Sequence, residues 1–431
     1  MSGYFQSHWS CEDGGPNREQ RSQNPSNWWD SGNFASELQA GNFKIQVTSR
    51  VLPVATMVVT RDPGELYLLR HNPGDSSPCF VDKLDPITLE TIGKSGELPG
   101  GPTWPGSIGV HANGYIYVVF GNHLHKLDNN LTLVSSKSLP KESPYNGFII
   151  LDNGNIVTKN FGGSRPFHKI SPEDRERCQV LLIDPNSLDT IDSVELEEAS
   201  IARLSANDDN IFIVGDKSLF VIRVDIQGHL SIFKKLTYLN FEGQSYGWDC
   251  VVRNNSVWLL DNGDGSEKYN GSLISQGVSK SPLHLVHFDL DQEIVHFEEI
   301  CGIQNGLIAN PPYFDSEASV AIGFDSSNGY LSAFKFDRNN VDSKMPKLWS
   351  KKQNHGSHFL KLPNSPLIVT ADYDPLEMKE WLVLLDLMTG KEMARIDSTS
   401  PLQSVIFPAL GFKNDFYWCS FSNVTRVSFE K

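Results

Sequence analysis

Hydrophobic and polar positions follow a repeating β-strand pattern from residue 43 to the end of the chain. The clearest copy is residues 148–161, FIILDNGNIVTKNF, in which two apolar runs flank an Asn-Gly pair. Such a pair is a strong hairpin signal, because a type I′ turn needs positive φ at both central residues. A third apolar run at 180–185, VLLIDP, closes on an aspartate. The unit predicts three consecutive antiparallel strands.

The same unit recurs along the chain at intervals of roughly 50 residues, which is in the range of propeller blades. Its second strand is predicted in eight places: 65–72, 115–122, 155–161, 210–217, 257–263, 319–325, 367–373 and 415–422. Its third strand ends on Asp in seven copies and on Glu in the last: 80–85, 124–128, 181–184, 221–225, 285–289, 332–337, 382–386 and 424–430. After most third strands a turn leads to a fourth.

The eighth unit ends at Lys431 without a fourth strand, whereas FKIQVTSRVL at 43–52 is a strand with no unit of its own. If this run completes the last blade, the two ends of the chain join and few strand edges stay exposed. The pattern therefore predicts an all-β fold, an eight-bladed β-propeller closed by its N-terminal strand. A seven-bladed ring is the alternative.

Residues 42–431 are predicted to form a single propeller domain. Residues 1–41 are rich in Ser, Asn, Gly and Gln and show no period, so they are expected to be a loosely ordered arm. Trp9, Trp28 and Trp29 are unusual in such a segment. They would pin the arm to the body of the protein or to a protein partner.

Composition narrows the function classes. The formal net charge of −15 argues against nucleic acid, which is bound by clustered Lys and Arg. No apolar run reaches 18 residues and the N-terminus lacks a secretory pattern, so we expect a cytoplasmic protein with no membrane partner. The six cysteines show no CxxC spacing, which favours buried thiols over zinc or disulfides.

A functional site is predicted at one mouth of the channel. In an up-and-down blade, the start of the first strand and the end of the second lie on one face, so polar residues there converge. The candidate catalytic residues are Asp249 and His358 as general bases, with Lys159 and Tyr145 as acid or oxyanion partners. The candidate substrate-binding residues are Asn146, Tyr246, Trp248, Ser357, Tyr313, Asp372 and Arg70. The long connections at 160–179 and 262–284 leave strands on the same face, as lids do.

One acidic motif carries a possible metal function. Residues 261–265, DNGDG, resemble the start of a calcium loop, but position twelve is Ser272 where an EF-hand has Glu. A turn is the main interpretation, and Ca²⁺ held by Asp261 and Asp264 is the alternative. No other cofactor is expected, because P-loop, zincin and serine-hydrolase motifs are absent from the sequence.

LVLLDLMTGKEMARI at 382–396 resembles the D-x-x-T-G-K turn of eight-bladed quinoprotein-type propellers, and 182–191 and 83–92 are fainter copies. The resemblance implies the same ring architecture. It also implies either a pyrroloquinoline-quinone dehydrogenase or a scaffold without a cofactor. The chain departs from the dehydrogenases because it has no adjacent cysteine pair and has Ile396 where their repeat carries a docking tryptophan. SHFLKLPNSPLIV at 357–369 also resembles, faintly, the channel-facing histidine segment of arylsulfotransferase-like propellers.

Three functions remain open from the sequence. The first is a cofactor-independent enzyme that acts on a small-molecule substrate by proton transfer, as a lyase, isomerase, cyclase or hydrolase. The second is a non-catalytic scaffold that binds a protein or a glycan. The third is a quinone-type redox enzyme. Fold alone does not decide between them.

Overall fold

The computed structural model describes residues 3–23, 33–162, 175–208, 210–266, 269–337 and 344–431. Within these ranges the chain forms a 3-10 turn (Glu12–Gly14), one short α-helix, α1 (Phe34–Gln39), and 33 strands. The first strand, β1 (Lys44–Val51), follows α1 directly. The remaining strands form antiparallel sheets in succession, each sheet being one blade of a ring.

Blades one to four follow one another from residue 55 to residue 237, and in each the strands run from the innermost to the outermost. Blade one carries β6 as an additional strand paired with β4. The strands are β2 (Ala55–Thr60), β3 (Leu66–His71), β4 (Ser76–Leu84), β5 (Thr91–Lys94) and β6 (Leu98–Pro102); β7 (Ser107–Val110), β8 (Ile116–Phe120), β9 (His123–Leu127) and β10 (Leu133–Ser138); β11 (Tyr145–Ile150), β12 (Ile156–Asn160), β13 (Gln179–Ile183) and β14 (Thr190–Glu195); β15 (Ser205–Asn207), β16 (Asn210–Val214), β17 (Ser218–Val224) and β18 (Leu230–Thr237).

Blades five to eight repeat this order, and the innermost strands of several are only two or three residues long. The strands are β19 (Val251–Arg253), β20 (Ser256–Leu260), β21 (His284–Asp289) and β22 (Ile294–Glu299); β23 (Tyr313–Asp315), β24 (Val320–Asp325), β25 (Tyr330–Lys335) and β26 (Lys347–Lys352); β27 (Leu360–Lys361), β28 (Leu367–Asp374), β29 (Lys379–Asp386) and β30 (Glu392–Asp397); β31 (Pro408–Leu410), β32 (Asp415–Ser420) and β33 (Asn423–Glu430).

The ring closes between the two ends of the chain. Strand β1 pairs antiparallel with β33 over its whole length, from Lys44 opposite Glu430 to Val51 opposite Asn423. It thereby supplies the outermost strand of blade eight. The prediction of eight blades closed by an N-terminal strand is confirmed, and the seven-bladed alternative is excluded.

Burial follows the position of a strand within its blade. Second strands such as β8 and β12 are buried along their whole length, because a neighbouring blade covers each face. Outermost strands such as β14 alternate between exposed and partly buried residues, as expected where one face meets water. No helix in the described ranges is long and apolar enough to span a membrane.

The N-terminal segment, residues 3–23, lies inside the central channel. Innermost strands expose one unpaired edge to the channel, and backbone groups of the segment bond to that edge in five blades. The amides that donate to the segment, with N···O distances of 2.7–2.9 Å, are Thr60 to Trp9, Val110 to Ser10, Ala206 to Pro16, Val252 to Asn17 and Lys361 to Gln20.

The other three blades also contact this segment. The amide of Ile150 donates to the hydroxyl of Tyr4 at 2.8 Å, and the side chain of Gln20 donates to the carbonyl of Pro312 at 2.7 Å. His8 packs edge-on against Phe412 in blade eight. Residues 3–23 therefore differ from the loosely ordered arm expected from composition, because the channel supplies polar partners for a segment with few apolar residues. Trp28 and Trp29 lie outside the described residues.

Trp9 anchors this segment. Its side chain is 1% exposed and belongs to the apolar core of blades one, two, seven and eight. We expect Trp9→Ala to lower the free energy of unfolding by about 3–5 kcal/mol, because it removes a fully buried aromatic ring. Urea unfolding followed by circular dichroism measures the change. Trp381→Ala, at a partly buried tryptophan of β29, is the control and should cost less; equal stability of wild type and Trp9→Ala would contradict the docking of the segment.

Candidate functional site

The candidate site is a pocket at one mouth of the channel, here called the mouth pocket. Most of its residues lie just before the innermost strands of blades two, four, five, six and eight, so they meet at the face predicted from the sequence. Apolar and aromatic side chains form its walls and a few polar groups complete it. The lining residues are Trp104, Pro105, Arg203, Trp248, Asp249, Ser266, Tyr269, Leu273, Ala309, Asn310, Val405, Ile406, Phe407 and Phe421.

Aromatic rings dominate the walls. Trp104 stacks on Phe161 with a centroid distance of 4.2 Å, and its other neighbour in the stack is Trp248 at 6.3 Å. The cavity between the lining residues has a volume of about 50 Å³. The pocket is therefore narrow, and a small or flat molecule suits it better than a large one.

A segment of the long connection between β20 and β21 lies across this mouth. The hydroxyl of Tyr269 donates to the carbonyl of Gln403 at 2.7 Å, and the amide of Leu273 donates to Oε1 of Gln403 at the same distance. The amide of Gln403 in turn donates to the carbonyl of Gly271 at 2.8 Å. This connection, which the sequence marked by its length, links blade five to the loop before blade eight and narrows the pocket.

Charged side chains from the N-terminal segment meet charged side chains of the ring beneath the pocket. Glu12 bridges two arginines: Nη2 of Arg18 donates to Oε1 at 2.6 Å, and Nη1 of Arg203 donates to Oε2 at 2.7 Å. The amide of Arg203 donates to Oδ1 of Asp249 at 2.6 Å, while Oδ2 lies 3.9 Å from Nη1 of Arg18. All four side chains are nearly fully buried, so each charge depends on its partners.

Asp13 extends this cluster to His358. Its Oδ2 accepts from Nη1 of Arg18 at 2.7 Å, and its Oδ1 lies 2.8 Å from Nδ1 of His358. Burial acts to raise the pKa of Asp13, but His358 and Arg18 hold that pKa below its usual value. Arg18 is likewise buried, and Glu12, Asp249 and Asp13 raise its pKa. The N-terminal segment thus contributes three charged residues to the site.

Two of the predicted site residues, Trp248 and Asp249, line the mouth pocket. His358 belongs to the charged cluster beneath it and packs on Phe407, with a centroid distance of 4.1 Å. Ser357 donates its hydroxyl to the carbonyl of Ile406, so it supports a pocket wall from behind.

Lys159, Tyr145 and Asn146 are fully buried in blade three and do not line the pocket. Nζ of Lys159 donates to the carbonyl of Ser200 at 3.0 Å, and burial lowers its pKa to about 8. Burial raises the pKa of Tyr145 to about 12, and its hydroxyl accepts from the amide of Lys141. Asn146 donates to the carbonyl of Ile201, two residues before Arg203.

The remaining predicted residues are paired elsewhere. Arg70 donates to Asp82 at 2.5 Å, and Asp372 accepts from the amide of Asn354 and from Arg395. Tyr246 packs under the guanidinium of Arg175. Tyr313 donates its hydroxyl to Asp315 at 2.9 Å. The preceding residue, Pro312, accepts a hydrogen bond from Gln20 of the N-terminal segment.

The acidic turn at residues 261–265 uses its first carboxylate internally. Asp261 accepts from the amide and Nδ1 of His284, at 2.6 and 2.8 Å, and from Nε2 of Gln244 at 2.7 Å. Burial raises the pKa of Asp261, and His284 opposes that effect. The amide of Asp264 donates to Ser245. Within the described residues no three His, Cys, Asp or Glu side chains form a group suited to a metal ion.

The mouth pocket does not fit a pyrroloquinoline quinone. Its narrow interior is far smaller than the roughly 300–1,000 Å³ typical of cofactor and drug-sized sites. No cysteine is among its lining residues. We therefore derive no chemistry from a quinone at this site.

Several residues of the site were not predicted from the sequence. Trp104, Arg203, Asn310 and Phe407 all lie just before innermost strands, so the repeat itself carried a signal for them. This signal is hard to recognise in the sequence, because the first strands of blades four to eight have only two or three residues. Glu12, Asp13 and Arg18 carried no such signal, since they lie in a segment without periodicity.

Lys159 makes a testable contribution to the pH dependence of stability. Its pKa is about 8 in the folded protein against an ordinary value of 10.5, so the unfolded chain binds more protons between these pH values. Stability contributed by this residue therefore rises with pH across that window. We expect the free energy of unfolding of wild type, relative to Lys159→Met, to increase from pH 8 to 10.5 in urea titrations. The exposed-site control Lys391→Met should show no such trend, and a flat difference for Lys159→Met would contradict the assignment.

The chain is similar to several solved structures over most of its length. BamB from Moraxella catarrhalis has a TM-score of 0.56 at 13% identity, covering 90% of this chain and 98% of that chain. Hydrazine synthase from Kuenenia stuttgartiensis has a TM-score of 0.49 at 11% identity, covering 78% and 97%. The WD40 domain of Toxoplasma gondii coronin has a TM-score of 0.45 at 8% identity, covering 90% and 86%.

No protein-family model and no curated protein matches the sequence. At these identities, likeness to a solved structure indicates fold and not activity. The eight sheets, together with the similarity to BamB, show that the chain has the eight-bladed β-propeller fold.

Proposed function

We propose that this protein binds a small molecule at the mouth pocket and acts on it by proton transfer, with Asp249 as the proton acceptor. The observation that carries the proposal is that Asp249 and Arg203 line a pocket whose other lining residues are mostly aromatic or apolar. Largely apolar pockets with a few convergent polar groups are the usual form of small-molecule sites.

The walls support binding. Trp248 and Phe407 are each more than nine-tenths buried, so a ligand between them would lose most of its contact with water. Flat apolar surface removed from water contributes roughly 25 cal/mol per Å², and ring-to-ring contact adds about 0.5–1.5 kcal/mol. A small molecule with a flat apolar body is therefore the ligand that these walls favour.

The polar groups support chemistry. Asp249 is 1% exposed and its carboxylate is held by the amide of Arg203, so its position relative to a bound ligand is fixed. A positioned carboxylate can take a proton from the ligand, and N–H groups of the adjacent arginine can donate hydrogen bonds to an oxygen of the ligand. The reaction classes compatible with this pair are elimination, isomerisation, cyclisation and hydrolysis.

His358, Lys159 and Tyr145 have other parts in this proposal. His358 acts through Asp13 and Arg18, which lie between it and Asp249. Lys159 and Tyr145 are outside the pocket, and the proposed proton transfer does not use them.

Binding can be tested without knowing the substrate. A library of small aromatic fragments would be screened against the full chain by ligand-observed NMR, and the hits titrated against Trp248→Ala. We expect the variant to weaken binding about tenfold or more, because it removes one wall of the pocket. Trp381→Ala, which changes a tryptophan of an outer part of the ring, should leave the affinities unchanged. Equal affinities of wild type and Trp248→Ala would contradict binding at this mouth.

The chemical step has its own test. Hits and their close analogues would be incubated with wild type and followed by NMR for conversion. Asp249→Asn keeps the shape of the side chain and an acceptor for the Arg203 amide, so we expect binding to persist while turnover falls by about 10²-fold or more. Turnover that survives this substitution would exclude Asp249 as the proton acceptor.

The scaffold hypothesis predicts a different result. A scaffold propeller would bind no fragment at the mouth and would lose a protein or glycan partner when a surface of the ring is changed. Residues 3–23 are occupied inside the channel, so a partner held by this part of the arm would have to displace it.

A further inference from the structure

We propose that the N-terminal segment sets the charge specificity of the mouth pocket, because Glu12 neutralises Arg203 and so makes the pocket selective for uncharged aromatic molecules. This inference rests on the proposed binding function of the pocket. It adds the chemical class of the ligand and assigns the selectivity to a residue outside the ring of blades.

Arg203 is the cation that reaches the pocket, and its charge is already paired. Its Nη1 donates to Oε2 of Glu12 at 2.7 Å and to the carbonyl of Gly106 at 2.9 Å. Its guanidinium also lies over the ring of Phe407, 4.6 Å from the centroid. A ligand anion would approach an arginine whose charge is already compensated by the buried carboxylate of Glu12, to which Arg203 donates a hydrogen bond.

Asp249 is the anion that reaches the pocket, and it too is compensated from the N-terminal segment. Its Oδ2 lies 3.9 Å from Nη1 of Arg18, which also bonds Asp13. Arg203 and Asp249, the two charged residues that line the pocket, therefore each have a partner of opposite sign from residues 12–18. A charged ligand would have to lose its hydration without gaining an unpaired partner, which is costly in a buried site.

An uncharged aromatic molecule avoids that cost. Its ring contacts the walls formed by Trp104, Trp248 and Phe407, and a hydroxyl or carbonyl group on it can bond the polar groups of the pocket. The selectivity depends on Glu12. If Glu12 were uncharged, Arg203 would be a buried cation without its principal counter-charge. A ligand carboxylate could then take the place of the Glu12 carboxylate.

The test compares three probes of the same size on the full chain: benzyl alcohol, benzoate and benzylammonium. Affinities would be measured by ligand-observed NMR titration at constant ionic strength. We expect wild type to bind benzyl alcohol at least about tenfold more tightly than either ion. Wild type that binds benzoate or benzylammonium as tightly as benzyl alcohol would overturn the inference while leaving the binding function intact. Wild type that binds none of the three, nor any aromatic fragment, would overturn the binding function and the inference with it.

The Glu12→Gln variant tests the cause of the selectivity. We expect its relative affinity for benzoate over benzyl alcohol to rise about tenfold, and benzoate to raise its thermal unfolding midpoint but not that of wild type. Benzylammonium should gain nothing. Glu90→Gln, which removes one carboxylate from an exposed turn of blade one, is the matched control and should behave as wild type. An unchanged probe ranking in folded Glu12→Gln would overturn the inference.

A second variant covers the case in which Glu12→Gln does not fold. The double substitution Glu12→Gln with Arg203→Gln removes both charges, so it leaves no unpaired charge between these two positions. We expect it to keep the preference for benzyl alcohol and to show no gain for benzoate. A gain for benzoate in the double variant would show that the anion is attracted by a group other than Arg203, and would overturn the inference.

Discussion

The structure depends on the pairing of the N-terminal segment with the inner edges of the blades. A propeller ring leaves the innermost strand of every blade with one unpaired edge, and eight such edges face the channel. Here backbone groups of residues 3–23 bond to five of these edges, and side chains reach the other three blades. The segment therefore satisfies polar groups that water or a ligand would otherwise have to satisfy.

The site follows from that pairing. Because the backbone of the segment is fixed along the channel, Glu12, Asp13 and Arg18 are held at its centre, where they meet Arg203, Asp249 and His358. Arg203 and Asp249, which line the mouth pocket, are thus paired with charged residues of the N-terminal segment, and aromatic side chains of the ring surround them. The long connection carrying Tyr269 and Leu273 narrows the pocket from above.

Most of the fold could be predicted from the sequence, and less of the site. Buried strands and turns that begin with Asp or contain Asn-Gly have recognisable local sequence patterns. Their repetition about every 50 residues therefore predicts the blades. The face of the site and two of its pocket residues, Trp248 and Asp249, follow from the same register. Lys159 and Tyr145 also lie at strand ends, but both side chains are buried in blade three and do not line the pocket.

Glu12 and Arg18 could not be predicted, because their role arises from a contact with residues nearly 200 positions away. A segment rich in Ser, Asn and Gly has no hydrophobic period to reveal where it packs. The segment is ordered by hydrogen-bonding groups that the assembled blades present inside the ring, and its own sequence does not show where those groups lie.

Ring closure also constrains how the protein can be made. Strand β1 pairs with β33, and Trp9 belongs to a core that includes residues of blade eight. During synthesis, Trp9 therefore cannot be buried in its final place until β33 has been made. Until then the growing arc of blades has two open edges and an unfilled channel, which are the surfaces that promote aggregation during synthesis. Trp9 therefore precedes every blade in the chain, yet it is among the last residues to reach its native contacts.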